Sequence, residues 1–175
     1  MKITLLAVLV ALISTSAFAK TTHVDTDVDN VATERPNAIS AELLGRGLLY
    51  SINYDRSINE NIAVGAGFSY WSLSSYTSKA SVLVVPLYGN YYFSPDSNRG
   101  FITAGMDIVS VSVEDHGFYS SDNYFAGHAS GVAAVVGGGY EYRGKGGFLF
   151  RGAPYLLAGS GGAAVWLGLT FGTTF

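Results

Sequence analysis

The stretch Val165-Trp-Leu-Gly-Leu-Thr-Phe-Gly-Thr-Thr-Phe175 decides the fold. Side chains in a strand repeat every two residues, so Val165, Leu167, Leu169, Phe171, Thr173 and Phe175 share one face. Ala164, Trp166, Gly168, Thr170, Gly172 and Thr174 share the other. One face is apolar and the other small or polar, over about the ten residues that a tilted strand needs to cross a bilayer. The last strand of a soluble sandwich would explain the alternation but not the abrupt aromatic end at Phe175.

Residues 1–19 read as a secretory signal peptide. Lys2 precedes the short apolar run Ile3–Ile13, and Ala17 and Ala19 supply a small-x-small cleavage site. Cleavage after Ala19 leaves Lys20 as the mature N-terminus. Residues 20–37 carry Asp25, Asp27, Asp29, Glu34 and Pro36 without periodicity and read as a flexible periplasmic lead-in. His23 in this segment is expected to be solvated rather than a metal ligand.

The composition narrows the class. There is no cysteine, so disulfides and thiolate metal sites are excluded. Hydrophobic residues make up 49% of the chain and charged residues only 13%, where about a quarter is usual for a soluble domain. Beyond the signal segment no apolar run is long enough for a membrane helix. An apolar, charge-poor chain without such helices points to a closed barrel, because lipid leaves the backbone no other way to satisfy its hydrogen bonds. The 22 glycines let a small barrel bend, and the 12 tyrosines and 10 phenylalanines suit interfacial girdles. A formal charge of −3 provides no basic patch, and nucleic acid is not an expected partner.

Alternation runs from Ala38 onward and defines residues 38–175 as the barrel. Ile39, Ala41 and Leu43 share one face, opposite Ser40 and Glu42. After Gly45-Arg46-Gly47 the phase inverts, with Leu48, Tyr50, Ile52 and Tyr54 opposite Ser51, Asn53 and Asp55. That inversion is either a hairpin between two strands or a bulge in one. Further apolar faces are Ile62–Tyr70, Leu83–Phe93, Ile102–Ile108, Val132–Tyr142 and Phe148–Phe150. Asp55–Asn61, Ser94–Gly100 and Arg143–Gly147 read as short periplasmic turns. Ser75–Ser81, Glu114–Ser130 and Leu157–Gly162 read as the external loops. Only the hairpin reading gives an even count and a periplasmic N-terminus. The expected fold is therefore an all-β, eight-stranded antiparallel transmembrane barrel, an up-and-down meander.

A barrel of this size has a lumen filled by side chains. Parity places Glu42, Asn53, Asn90, Asp107, Glu141 and Arg151 inside, with Arg143 at the lower rim. Charges at membrane depth persist when they face inward and pair, so Arg151 is expected to neutralise Glu42, Asp107 or Glu141. This predicts a filled, non-conducting lumen without cofactor or metal. In the longest external loop, Asp115, His116 and Asp122 read as solvated, and Phe118, Tyr119, Tyr124 and Phe125 as contacts for headgroups or a partner.

On its terminal strand and architecture the chain, over roughly Ala38 to Phe175, resembles the small bacterial outer-membrane barrels, the group holding the OmpA transmembrane domain, OmpX and the PagL lipid A deacylases. The resemblance implies a Gram-negative outer-membrane location and a structural or surface-interaction role. It also implies an assembly signal at Phe171 and Phe175, read by the insertion machinery, contact with outer-membrane lipid and lipopolysaccharide, and a monomer. The PagL likeness implies an alternative, a lipid-modifying esterase with Ser130 as nucleophile, His128 as base and Glu141 as its orienting partner. Parity counts against this triad. His128 and Ser130 share the phase of Val132, whereas Glu141 has the opposite phase and lies about 36 Å from Ser130 along an extended strand.

Overall fold

The computed structural model describes residues 35–75, 78–116 and 124–175. The signal segment 1–19, His23 and most of the lead-in lie outside the described residues, as do Phe118, Tyr119 and Asp122. Eight strands run in chain order: β1 (Asn37–Leu44), β2 (Tyr50–Ser57), β3 (Ile62–Ser74), β4 (Ser78–Tyr92), β5 (Asn98–His116), β6 (Tyr124–Arg143), β7 (Phe148–Gly159) and β8 (Gly162–Thr174). Each pairs antiparallel with its neighbour, and β8 returns to β1 to close the barrel. Closure leaves no sheet edge at membrane depth, which is what lipid demands of a strand protein. Asn37 and Phe175 exchange backbone hydrogen bonds of 3.0 and 2.9 Å at the seam. The first strand thus begins at Asn37, one residue before the boundary expected from the alternation.

Gly45-Arg46-Gly47 is the tip of the β1–β2 hairpin, a single 3-10 turn, so the strand count is eight. This tip folds inward and its three residues are buried. Gly45 sits at φ +70°, and a Cβ there would fall 2.5 Å from the Glu42 carboxyl carbon, so only glycine fits. Leu44 and Leu48 also hold positive φ, at 58° and 68°, a costly conformation for residues with a Cβ.

Along the strands one face is apolar and exposed and the other is buried and largely polar. Ile52, Phe68, Ile102, Val132, Val165 and Leu169 are among the exposed apolar side chains, whereas Glu42, Asp55, Glu141 and Arg151 are fully buried. A soluble domain would show the reverse, and this inversion is the signature of a wall solvated by lipid. Toward the end holding Asn37 and Phe175 the outer face becomes aromatic. Tyr91 stands edge-on to Phe93 with ring centroids 5.9 Å apart, Phe150 lies 5.3 Å from Phe171, and the Tyr54 hydroxyl donates to Asn37 Oδ1 at 2.7 Å.

The wall is uneven in height. The first two strands have 8 residues each, whereas β5 and β6 have 19 and 20. The segments expected as external loops are therefore mostly strand. Ser78–Ser81 belongs to β4, Glu114–His116 to β5 and Tyr124–Ser130 to β6. Serine and glycine there blur the alternation, but the ladder Ser81↔Ser112↔His128 continues upward from the apolar wall. On the other side of β6, pairing with β7 begins only at Ala134↔Ala158, so the edge of β6 above Ala134 has no partner strand among the described residues.

Candidate functional site

The buried charges form two layers inside the barrel. In the layer nearer Asn37 and Phe175, Glu141 on β6 is the hub. Its Oε1 accepts from Arg99 Nε at 3.0 Å, Arg99 Nη2 at 2.6 Å and Arg143 Nε at 2.7 Å. Its Oε2 accepts from Arg151 Nε at 2.8 Å, Arg151 Nη2 at 2.5 Å and the Tyr92 hydroxyl at 2.8 Å. Register explains the convergence, because Arg99 and Arg151 sit directly opposite Glu141 on the two flanking strands. The Arg99 guanidinium also lies 3.5 Å from the centre of the Tyr92 ring, and Arg151 Nη1 stands 3.7 Å from Asp55 Oδ1.

The second layer surrounds Glu42 on β1. Its carboxylate accepts from Tyr155 OH at 2.8 Å, from Arg46 Nε at 3.3 Å and, more weakly, from Thr170 Oγ1 and Ser51 Oγ. Arg46 comes from the inward-folded tip and lies 3.5 Å from the centre of the Tyr88 ring. The tip is tied down by Trp166 Nε1 donating to Leu48 O at 2.9 Å and by Ser69 Oγ donating to Gly47 O at 3.1 Å. Four buried arginines, Arg46, Arg99, Arg143 and Arg151, thus share the interior with four buried carboxyl groups, Glu42, Asp55, Asp107 and Glu141. The ion pairs to Glu141, Glu42 and Asp55 let these arginines exist at membrane depth.

All six residues expected in the lumen are buried there, but they do not form one network. Arg151 meets Glu141 and, in place of Glu42 or Asp107, Asp55. Asn53 Nδ2 donates to Ser51 Oγ at 3.0 Å, and Asn90 reaches the Tyr92 hydroxyl at 3.5 Å. Asp107 is buried without a hydrogen-bond partner among the described residues. Arg143, the last residue of β6 at the lower rim, is buried against Glu141. Sequence reasoning missed Arg46 and Arg99, because both fall in segments read as turns. Phase would have found Arg99, which lies two residues before inward Phe101.

Ser130, His128 and Glu141 do not come together. Ser130 and His128 are exposed on the outer face of the upper part of β6, while Glu141 lies buried in the lower lumen layer, about 36 Å from Ser130 along the strand. The imidazole instead meets β5: Ser112 Oγ lies 2.9 Å from Nδ1 and Ser110 Oγ 3.4 Å from Nε2. Phe171 faces outward against Phe150, and Phe175 closes the β1–β8 seam. Asp115, His116, Tyr124 and Phe125 contribute backbone to the β5–β6 ladder. Among the described residues there is no group of three potential metal ligands.

Neither a family model nor a curated protein matches the chain. Solved structures do. The N-terminal β-barrel domain of Pseudomonas aeruginosa OprF superposes with a TM-score of 0.55 at 16% identity, covering 79% of this chain and 95% of that one. Ail, the attachment invasion locus protein of Yersinia pestis, gives 0.50 at 12% identity, with 79% and 93% covered. Neisserial surface protein A gives 0.50 at 11%, again with 79% and 93% covered. The chain has the fold of the small eight-stranded outer-membrane barrels.

Proposed function

We propose that this protein is an integral outer-membrane barrel with a filled, non-conducting lumen, acting as a monomer through the part of its wall that stands above the membrane. The observation that carries this reading is the pairing of an apolar exposed wall with a buried, ion-paired interior. Such an arrangement is unstable in water and stable across lipid. Glu141 with its three arginines, and Glu42 with Arg46 under the inward-folded tip, close the lumen at two levels. The short-turn end, which holds Asn37 and Phe175, faces the periplasm, and the tall end of β5 and β6 faces outward. Phe171 and Phe175 present the terminal strand to the insertion machinery.

Membrane fractionation and planar-bilayer recording test the proposal together. The expected protein partitions with outer membranes, shifts in gel mobility on boiling and gives no sustained conductance. A mature chain that is soluble without detergent, or a stable open channel, refutes it.

A further inference from the structure

We infer that the mouth of the barrel binds the alkyl chain of a single-chain amphiphile, in an apolar groove that opens sideways between β6 and β7. The inference rests on the outer-membrane reading above. The polarity of the wall inverts with height. At the level of the two charged layers the inner face is polar and the outer face apolar. Above the inward-folded tip the inner face of β3 to β6 is apolar instead. Trp71, Val82, Val111 and Ala129 form one inward row across the four strands, and Val84, Val109 and Gly131 lie in the row beneath. The outer face at this height carries Ser72, Ser81, Ser110, Ser112 and Ser130. This is the pattern of a sheet with water outside and an apolar partner inside. Among the described residues no strand supplies that partner, because β2 leaves β3 at Phe68 and β7 leaves β6 at Ala134.

Two depressions run along the open side of this face. One, of about 290 Å³, lies between Val109, Val111, Ala129 and Gly131 on one side and the β7–β8 turn, Gly159–Gly161, on the other. The second, of about 370 Å³, continues from Ala133, Gly159 and Gly161 past Leu157 and Trp166 to Leu48 of the tip. Ala133, Gly159 and Gly161 line both, so the two form one groove. Its rim includes Val132, an exposed side chain of the lipid-facing wall. The groove therefore joins the membrane wall around the edge of β6, at the height where β7 no longer pairs with it. Continuity with that wall selects the occupant. An alkyl chain can slide from lipid into the groove without crossing water, and there it covers apolar surface that water would otherwise wet. One chain fits this path, whereas two chains tied to one glycerol would have to straddle the β6 edge. The unpaired backbone N–H groups along that edge offer donors to a compact headgroup at the rim.

Tryptophan fluorescence of the barrel in phosphatidylcholine nanodiscs tests the groove, because Trp166 lines it. Bromine quenches tryptophan on contact, so the probes are bromostearate and a brominated two-chain phosphatidylcholine. Bromostearate is expected to quench to a plateau, and unbrominated stearate to restore the emission. The two-chain lipid should quench far less. Gly131→Phe fills the groove from a position with open space around it. It should raise the half-saturating concentration about tenfold or more, since its ring covers part of the apolar wall that drives binding. Quenching without a plateau, equal quenching by the two-chain lipid, or a Gly131→Phe barrel that binds as wild type overturns the inference. If Gly131→Phe does not fold, Gly161→Phe, also in open space, takes its place, and the two wild-type comparisons still decide. Failure of the wild-type barrel to show a gel shift on boiling counts instead against the outer-membrane reading itself.

Discussion

Glutamine at position 141 is the sharpest single perturbation of the interior. Glu141 accepts six hydrogen bonds, two each from Arg99 and Arg151 and one each from Arg143 and Tyr92. Glu141→Gln keeps the shape, replaces one acceptor oxygen by a donor and removes the charge. Arg151 would then keep Asp55 at 3.7 Å, while Arg99 and Arg143 would lose the carboxylate they share. The attraction lost is large where water is excluded, while the cost of burying the arginines stays. Removing one member of a buried pair costs about 3–5 kcal/mol, and a shared hub belongs at the upper end of that range. Arg151→Leu should cost less, because Glu141 keeps Arg99 and Arg143. Urea titration in detergent, followed by heat-dependent gel mobility and by the fluorescence of Trp71 and Trp166, measures both. A Glu141→Gln barrel within about 1 kcal/mol of wild type, or an Arg151→Leu barrel that is the weaker of the two, refutes the hub.

Other substitutions probe the remaining layers. Gly65→Val places a Cβ 2.5 Å from the Tyr88 ring and should cost about 1–3 kcal/mol by overpacking; Gly131→Val, with open space around it, should be near neutral in the same urea assay. Leu169→Arg, on the lipid face opposite Leu43 and Gly152, should lose about 2–4 kcal/mol of folding free energy in vesicles. Arg46→Ala removes the guanidinium over Tyr88 and leaves Glu42 without its cation, so planar bilayers should show openings that the wild-type chain does not.

The barrel was legible because a membrane wall repeats the period of two wherever lipid meets it. Phe171, Leu169 and Leu167 on β8, or Ile102, Ala104 and Met106 on β5, could hardly be arranged otherwise. Glu42 and Glu141 were legible as inward residues for the same reason. Their partners were harder to read. Arg46 lies in a glycine-flanked hairpin tip, where nothing in the local pattern says that the turn bends into the lumen instead of out into water. Arg99 follows Pro95, Asp96 and Ser97, which are strong turn residues that mask the start of β5. The upper parts of β5 and β6 escaped because strands above the lipid no longer need apolar side chains. Ser110, Ser112, His128 and Ser130 are held by their neighbours' backbones, and a ladder leaves no trace in the sequence of one strand.

The unequal strand lengths also bear on how such a molecule reaches its final position. In the proposed orientation β5 and β6 exceed β1 and β2 by about eleven residues, roughly 36 Å of chain, and this length must be carried through the hydrocarbon during insertion. Charge is the main barrier to that passage. Between Val109 and Ala133 the only formally charged residues in the sequence are Glu114, Asp115 and Asp122, and most of the rest is Val, Ala, Gly and Ser. The tallest part of the wall is thus composed so that it can be threaded through the bilayer at low cost, while the arginines and their carboxylates need never meet lipid if the barrel closes around them as it enters.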